Sequence, residues 1–179
     1  DGGSEYIYDI NNKGNAEIFP LTEGDGKYKV IVYENTSGTK YATAYSCSVD
    51  LKLRSEFLPF LNPNQFVNYN SSSAVVTAAA SLVQGAGTDL DKLTLIYEYV
   101  VNNFTYDYAL AKQITSGAVT SYIPQLESVM AKKTGICFDY ASAMAAMLRS
   151  QSIPCKLVIG YAGETYHAWV NVYIDGVGW

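Results

Sequence analysis

The sequence is short of histidine and cysteine, with one His and three Cys among 179 residues. The cysteines stand at positions 47, 137 and 155, and with a single histidine they do not indicate an ordinary tetrahedral zinc site. We therefore expect no metal and no cofactor. At most Cys47 and Cys155 could form a disulfide, but Cys155 follows Pro154 in an apolar run that is typical of a buried core residue. Cys137 is expected to be a free thiol in either case.

Basic clusters and long apolar runs are also missing. The net charge is −5, and without a basic run to neutralise phosphates the chain is not expected to bind nucleic acid. No apolar stretch approaches the ~18 residues of a membrane span. Few charges with many Tyr, Ser, Thr and Asn are typical of secreted or surface-exposed bacterial proteins, so we expect an extracellular or cell-surface location. The start at Asp1 suggests that a leader, or more of the protein, was removed.

The most informative stretch runs from Thr134 to Ala141. Gly135 predicts a turn, and from Cys137 to Ser150 small and apolar residues recur three and four positions apart, which predicts a helix with one buried face. Cys137 then lies in the first turn, where free N–H groups and the positive end of the helix dipole favour a thiolate and an oxyanion. Asp139 lies on another side of this helix and is interpreted as a hydrogen-bond acceptor or a partner of the helix dipole.

The only histidine, His167, opens a predicted strand. Every second residue from 168 to 174 is apolar, so His167 and Trp169 share the face turned away from the core. Tyr166 and Trp169 flank the histidine and are candidate residues of a substrate cleft, because the walls of binding pockets are mainly apolar and aromatic. Taken alone, a cysteine is most often a small buried residue, and a strand histidine or tryptophan is most often structural. The pairing of a helix-start cysteine with a strand histidine favours catalysis.

Five motifs follow one another in this part of the chain: Gly-Ile-Cys-Phe-Asp-Tyr-Ala (135–141), Leu-Arg-Ser-Gln-Ser-Ile-Pro (148–154), Val-Ile-Gly-Tyr (158–161), His-Ala-Trp (167–169) and Gly-Trp (178–179). In composition and order they resemble the core motifs of the transglutaminase-like superfamily, from about Thr88 to the end. The resemblance implies an α+β papain-like core and acyl transfer from an amide by a Cys-His-Asp triad. It assigns Cys137 as the nucleophile and His167 as the base.

The third member of the triad is not found in the sequence. In the family an Asp follows the Gly-Trp motif by a few residues, whereas this sequence stops at Trp179. Asn171 shares the face of His167 but lies about 13 Å along a strand with ~3.3 Å per residue, and Asp175 is farther away. If residues 175–178 form a hairpin turn, the position opposite His167 follows Trp179. Either the domain is cut short, or another chain or a loop residue such as Asp107 supplies the acid, or the protein works without it.

The predicted fold class is α+β, with helices packed on an antiparallel sheet in a papain- or transglutaminase-like core and with an N-terminal β-rich extension. We expect the β-rich region at residues 1–62 and the core at 63–179. The alternation at 27–33 and 41–53 predicts a hairpin, preceded by short strands near 6–10 and 16–19. Helices are expected over 74–83, from residue 88 onward and over 125–132, and the stretch from 105 to 124 has little periodicity.

Two classes of function remain open. In an enzyme, Cys137 would attack a carboxamide or peptide carbonyl of a protein or peptide substrate, its backbone N–H would help hold the oxyanion, and His167 would carry the proton to the leaving amine. The acyl group would then pass to an amine or to water, and the sequence does not distinguish transglutamination, deamidation and proteolysis. The alternative is a weak or inactive domain of the same fold that binds a protein or a cell-wall component.

Overall fold

The computed structural model describes residues 4–11 and 13–179. The chain divides into two units, residues 4–6 with Leu21–Pro59 and Ile7–Pro20 with Phe60–Trp179. The segment Ile7–Pro20 therefore groups with the second unit, although it precedes the hairpin in the sequence. The domain division predicted at residues 62 and 63 stays a prediction.

The first unit is built on one β-hairpin. Strands β1 (Gly26–Ser37) and β2 (Lys40–Leu51) pair antiparallel, with Val30 opposite Cys47. Gly38 lies in the turn between them with a φ of 56°, a conformation that glycine adopts without strain. The predicted hairpin is confirmed.

The short strands expected near residues 6–10 and 16–19 are wrong, because neither range contains a strand. The backbone there bonds to side chains instead of to another strand. The Asp9 N–H donates to Gln65 Oε1 at 3.3 Å, and the Asn11 N–H donates to Glu17 Oε2 at 2.9 Å. Ring contacts of Tyr8 with Phe19 and with Phe66, at 4.9 and 5.4 Å between centroids, pack this irregular segment within the second unit.

The second unit combines helices with two short sheets. Its elements among the described residues are α1 (Ala74–Leu82), α2 (Asp89–Asn103), β3 (Thr105–Tyr106), α3 (Tyr108–Thr115), α4 (Leu126–Lys132), β4 (Thr134–Gly135), α5 (Cys137–Ser150), β5 (Cys155–Ala162) and β6 (Thr165–Val172). Strands β3 and β4 pair parallel, and β5 and β6 pair antiparallel. The α+β fold class is confirmed, and α3 is a helix that the sequence pattern does not predict.

Helix α5 forms the centre of this unit. Every residue from Ala141 to Arg149 is buried, and α1, α2, α4 and the β5–β6 pair all pack around the helix. Alanines occupy positions 141, 143, 145 and 146, so neighbouring elements can approach closely. The helix that begins with Cys137 is therefore held along most of its length.

Arg149 fixes the C-terminal end of α5 to the sheet. Its side chain is buried, and Nε and Nη2 donate to the Cys155 carbonyl at 3.0 and 2.8 Å. Nη1 donates to the Asn62 carbonyl at 2.8 Å. Backbone carbonyls thus satisfy a buried cation, which would otherwise be costly to remove from water. The contact joins the end of α5 to the first residue of β5, the strand that pairs with the histidine strand.

Candidate active site

Cys137 is the first residue of α5. It follows β4 and the N-cap residue Ile136, whose extended backbone leads the chain into the helix. The first N–H groups of a helix have no partners within the helix, and the dipole makes this end positive. The prediction that Cys137 lies in a first helical turn is confirmed.

Asp139 lies fully buried beneath this turn. Its Oδ2 accepts a hydrogen bond from the Ile136 N–H at 2.8 Å, and its Oδ1 accepts one from Tyr122 Oη at 2.8 Å. Burial raises the pKa of the Asp139 carboxyl, against the effect of these two hydrogen bonds, and burial and Asp139 together raise the pKa of Tyr122. The interpretation of Asp139 as a buried hydrogen-bond acceptor is confirmed.

Tyr106 brings a hydroxyl group to the cysteine. Strand β3 pairs with β4 so that Tyr106 lies opposite Gly135, and the Asp107 N–H donates to the Gly135 carbonyl at 2.9 Å. The Tyr106 hydroxyl lies close to the Cys137 backbone N–H and thiol, near enough for both groups to act on it electrostatically. Burial raises the pKa of Tyr106 and the thiol raises it further, while the N–H lowers it. The Tyr106 hydroxyl is therefore a second possible hydrogen-bond donor next to the Cys137 N–H.

Sequence reasoning missed Tyr106. The two residues of β3 lie 29 positions before their partners in β4, and so short a parallel pair leaves no periodicity to detect. The one available signal was the Thr105-Tyr106 pair directly after the end of a predicted helix. Asp107, a candidate for the missing acid, accepts a hydrogen bond from the Leu110 N–H at 2.9 Å and thereby caps α3.

His167 lies on β6, opposite Gly160 of β5. Its neighbour Ala168 is buried, whereas His167 is half-buried on the other face of the strand. Helix α5 packs against β6, so the elements that carry Cys137 and His167 are in direct contact. The predicted strand and its faces are confirmed, although the strand begins at Thr165, two residues before His167. The pairing of the two side chains in catalysis stays a prediction.

The two aromatic residues beside His167 differ in their surroundings. Trp169 is half-buried, and its Cη2 lies 3.5 Å from the place where a Cβ on Gly160 would stand. The indole ring therefore covers the backbone position opposite His167. Tyr166 is 65% exposed and packs edge-on against Tyr161, with ring centroids 5.3 Å apart. Both residues flank His167, and their role in a substrate cleft stays a prediction.

The other two cysteines have different environments from Cys137. All three cysteines are free thiols. Cys155 is fully buried, as the sequence predicts, and burial raises its pKa to about 12. Cys47 is half-buried in β2. Within residues 4–11 and 13–179, His, Cys, Asp and Glu side chains form no group of three or more that could hold a metal ion.

The fold is similar to those of two solved bacterial proteins. One is described as a "putative cysteine protease" from Cytophaga hutchinsonii, with a TM-score of 0.54 and 21% identity over 89% of this chain and 66% of that one. The other, a "putative protease" from Parabacteroides distasonis, gives a TM-score of 0.50 and 16% identity over 88% of this chain and 37% of that one. At these identities the similarity concerns the fold alone.

Similar sequences occur within longer proteins. The chain is 26% identical over 196 residues to the uncharacterized protein YebA of Bacillus subtilis, covering 98% of this chain and 24% of YebA. It is 27% identical over 135 residues to human kyphoscoliosis peptidase, covering 65% of this chain and 20% of that protein. The chain thus spans a quarter or less of the length of these relatives. The family model for the transglutaminase-like superfamily matches residues 76–179, more than half of the chain. The chain belongs to the transglutaminase-like superfamily.

Proposed function

We propose that this domain catalyses thiol-dependent acyl transfer or hydrolysis on amides of proteins or peptides, with Cys137 as the nucleophile and His167 as the base. The observation that carries the proposal is Cys137 at the start of α5, with its N–H and thiol beside the Tyr106 hydroxyl. A helix start favours the thiolate, the reactive form of cysteine. Membership in the superfamily supports the same kind of chemistry.

The reaction would proceed in two stages. His167 first accepts the proton of the Cys137 thiol. The Cys137 sulfur then forms a bond to the amide carbonyl carbon, and the carbonyl electron pair moves to oxygen, where the Cys137 N–H and the Tyr106 hydroxyl can donate hydrogen bonds. Collapse of this intermediate breaks the C–N bond, and His167 delivers the proton to the leaving amine. Water or a second amine then attacks the thioester, gives its proton to His167 and releases the Cys137 thiolate.

We propose that the acid partner of His167 comes from a strand that follows Trp179. Ile174 and Gly178 pair antiparallel, with hydrogen bonds of 3.0 and 2.9 Å between them, so the chain reverses there. The residue numbers of antiparallel partners have a constant sum, so a strand continuing in this register would reach the position opposite His167 roughly six residues beyond Trp179. An Asp there would orient the imidazole. Without it, we expect turnover to be on the order of 10⁴-fold lower.

The test compares the 179-residue chain, a version extended by about ten residues with an Asp opposite His167, and the Cys137→Ala variant of each, using a glutamine-containing peptide as substrate. Mass spectrometry of the products separates deamidation, amine incorporation and peptide cleavage. We expect slow turnover by the 179-residue chain, faster turnover by the extended form and none after Cys137→Ala. Cys47→Ala is the matched control and should leave turnover unchanged, because Cys47 lies in the hairpin of the other unit.

Turnover that survives Cys137→Ala would overturn the proposal. Full turnover by the 179-residue chain would place the acid elsewhere, and Asp107→Asn would then test the nearest alternative. If no form turns over the peptide, the domain is better described as a binding module. The exposed pair Tyr161 and Tyr166 supports that second candidate function, since exposed aromatic side chains are common in binding surfaces.

We further propose an extracellular or cell-surface location, where the substrate or partner would be a surface protein or a cell-wall component. The low charged fraction of 16% and the sixteen tyrosines support this location. Fractionation of the native host into cytosol, envelope and medium, followed by immunodetection, tests it. A purely cytosolic protein would contradict the proposal.

A further inference from the structure

The first turn of α5 is fixed in an unusual way. A typical N-cap residue accepts hydrogen bonds from the helix with a short polar side chain. The N-cap here is Ile136, which has no such acceptor. Asp139 instead reaches back to the N–H of Ile136 itself at 2.8 Å. The anchoring bond therefore lies on the N-cap residue and does not use the N–H of Cys137.

A second contact holds Asp139 from the opposite side. Tyr122, in the irregular stretch before α4, donates from its hydroxyl to Asp139 Oδ1 at 2.8 Å. The preceding residue, Ser121, donates to Asp9 Oδ2 at 3.2 Å. Phe138, next to Cys137, has its ring 6.5 Å from that of Tyr122. The stretch that carries Tyr122 is thus tied both to the first turn of α5 and to the segment Ile7–Pro20.

Burial of the Asp139 carboxyl costs free energy, which indicates that the residue has a role beyond packing. A fully buried carboxyl loses its hydration, and the neighbouring Asp107 carboxylate adds repulsion. The groups that face Asp139 are the Ile136 N–H, the Tyr122 hydroxyl and, at longer range, Asp107. Both carboxylate oxygens are already bonded within the protein. Asp139 is therefore placed to hold the backbone, and its oxygens are not directed at a substrate.

We propose that Asp139 and Tyr122 are positioning residues, which hold the Ile136–Cys137 backbone so that the Cys137 thiol and N–H face the substrate. This inference rests on the proposed function of Cys137 as the nucleophile. The two residues act through the backbone and touch no reacting atom. A misplacement of about 1 Å at a reacting group can cost on the order of 100-fold in rate, so loss of this anchor should slow the chemistry of Cys137.

The test compares Asp139→Ala with Asp139→Asn. Both variants lack the negative charge, so its effect on the thiolate cancels in their ratio. The Asn oxygen can still accept from the Ile136 N–H, and its NH₂ group can donate to Tyr122 Oη, whereas Ala keeps neither bond. The readout is the rate of Cys137 alkylation by iodoacetamide, measured by peptide mass spectrometry, with Cys47 as the internal reference. Circular dichroism confirms that each variant is folded at the temperature used.

A matched control exists in α2, where Asp91 accepts from the N–H of the N-cap residue Thr88 at 2.9 Å. Asp91→Ala removes this comparable cap, and Asp91→Asn retains it. Helix α2 does not begin with a cysteine. An ordered helix start favours the reactive thiolate form of a cysteine. We therefore expect Cys137 to react about 10-fold more slowly with iodoacetamide in Asp139→Ala than in Asp139→Asn. The Asp91 pair should give a ratio near one.

The quantity compared is the Cys137 alkylation rate in the Asn variant divided by that in the Ala variant. If this ratio is the same for position 139 as for position 91, the proposal is overturned and Asp139 is only a stabilising cap. If Asp139→Ala does not fold, Tyr122→Phe replaces it, since that change removes a single hydroxyl group. Slower alkylation of Cys137 in Tyr122→Phe supports the proposal, and an unchanged rate contradicts it. The readout needs no substrate. A chain without amide turnover would therefore refute the proposed function while this comparison still decides the role of Asp139.

Discussion

Gly135 and Asp139 are packed in direct contact. A Cβ built on Gly135 would lie 2.5 Å from the Asp139 Cβ and 2.7 Å from its Oδ2, distances that no side chain tolerates. We therefore predict that Gly135→Ala destabilises the protein by about 1–3 kcal/mol, the usual cost of overpacking a filled interior. Urea unfolding measures this loss. Alkylation of Cys137 should slow as well, because Asp139 is displaced from Ile136.

Gly87 provides the matched control for this prediction. It precedes an N-cap residue and stands four positions before the acid Asp91, as Gly135 does before Asp139. A Cβ on Gly87 would lie 3.7 Å from Asp91 Oδ2, which is an ordinary contact. Gly87→Ala should therefore leave the free energy of unfolding unchanged or raise it by about 0.4–1 kcal/mol. A loss in Gly87→Ala equal to that in Gly135→Ala would contradict the steric argument.

The three thiols should differ in reactivity. We predict that iodoacetamide at neutral pH alkylates Cys137 first, Cys47 more slowly and Cys155 last. Cys137 has the helix start, whereas Cys155 is fully buried with a pKa raised to about 12. Peptide mapping after timed labelling measures the three rates in one sample. Equal, slow labelling of all three would favour the binding-module alternative.

The stability of the protein should carry a pH dependence from Asp139. Because burial raises the pKa of Asp139 above its ordinary value of 3.8, the folded chain takes up this proton at a higher pH than the unfolded chain. The free energy of unfolding should therefore increase as the pH falls through the raised pKa, and this contribution levels off below the ordinary value. The Asp139→Asn variant should lack this pH-dependent contribution to the free energy of unfolding. Urea unfolding of both proteins over a pH series gives the difference, and a difference of opposite sign would mean that the hydrogen bonds outweigh burial.

The two arginines should respond differently to substitution by lysine. Lysine cannot span both carbonyls that Arg149 binds, at Cys155 and Asn62. We predict that Arg149→Lys lowers the free energy of unfolding by about 1.5–3 kcal/mol, the range for hydrogen bonds to a charged group. Arg54 is exposed, and Arg54→Lys should change the free energy of unfolding by less than about 0.5 kcal/mol. Chemical unfolding measures both, and similar values would refute the structural role of Arg149.

Much of the core was predictable because its signals are local. The spacing of small and apolar residues after Gly135 gives α5 with the observed bounds of Cys137 and Ser150, and the alternation from residue 168 onward gives β6 and its faces. The helix expected from residue 88 onward begins as α2 with a capping box of Thr88 and Asp91, which form hydrogen bonds in both directions. In each case the residues that determine the structure lie within a few positions of one another.

The parts that were missed depend on distant residues. The Tyr106 hydroxyl reaches Cys137 only because β3 pairs with β4, and nothing near Tyr106 in the sequence indicates that partner. Helix α3 is only eight residues long and has no buried residue, so its apolar pattern is too short to stand out from the irregular sequence around it. The expected strands near residues 6–10 and 16–19 fail because side chains of Gln65 and Glu17 bond to the backbone there.

The β3–β4 pair has a consequence for how this domain can diversify. It joins Tyr106 to Gly135 and so closes the base of a long excursion of the chain, residues 107–133. Within that excursion, residues 116–121 belong to no helix or strand. Insertions tend to be tolerated in such exposed, irregular stretches. Lengthening this stretch would alter the surface next to Tyr122, whose hydroxyl contacts Asp139 in the first turn of α5, while Tyr106 and Cys137 keep their places. This surface could therefore change in evolution while the first turn of α5 stays anchored.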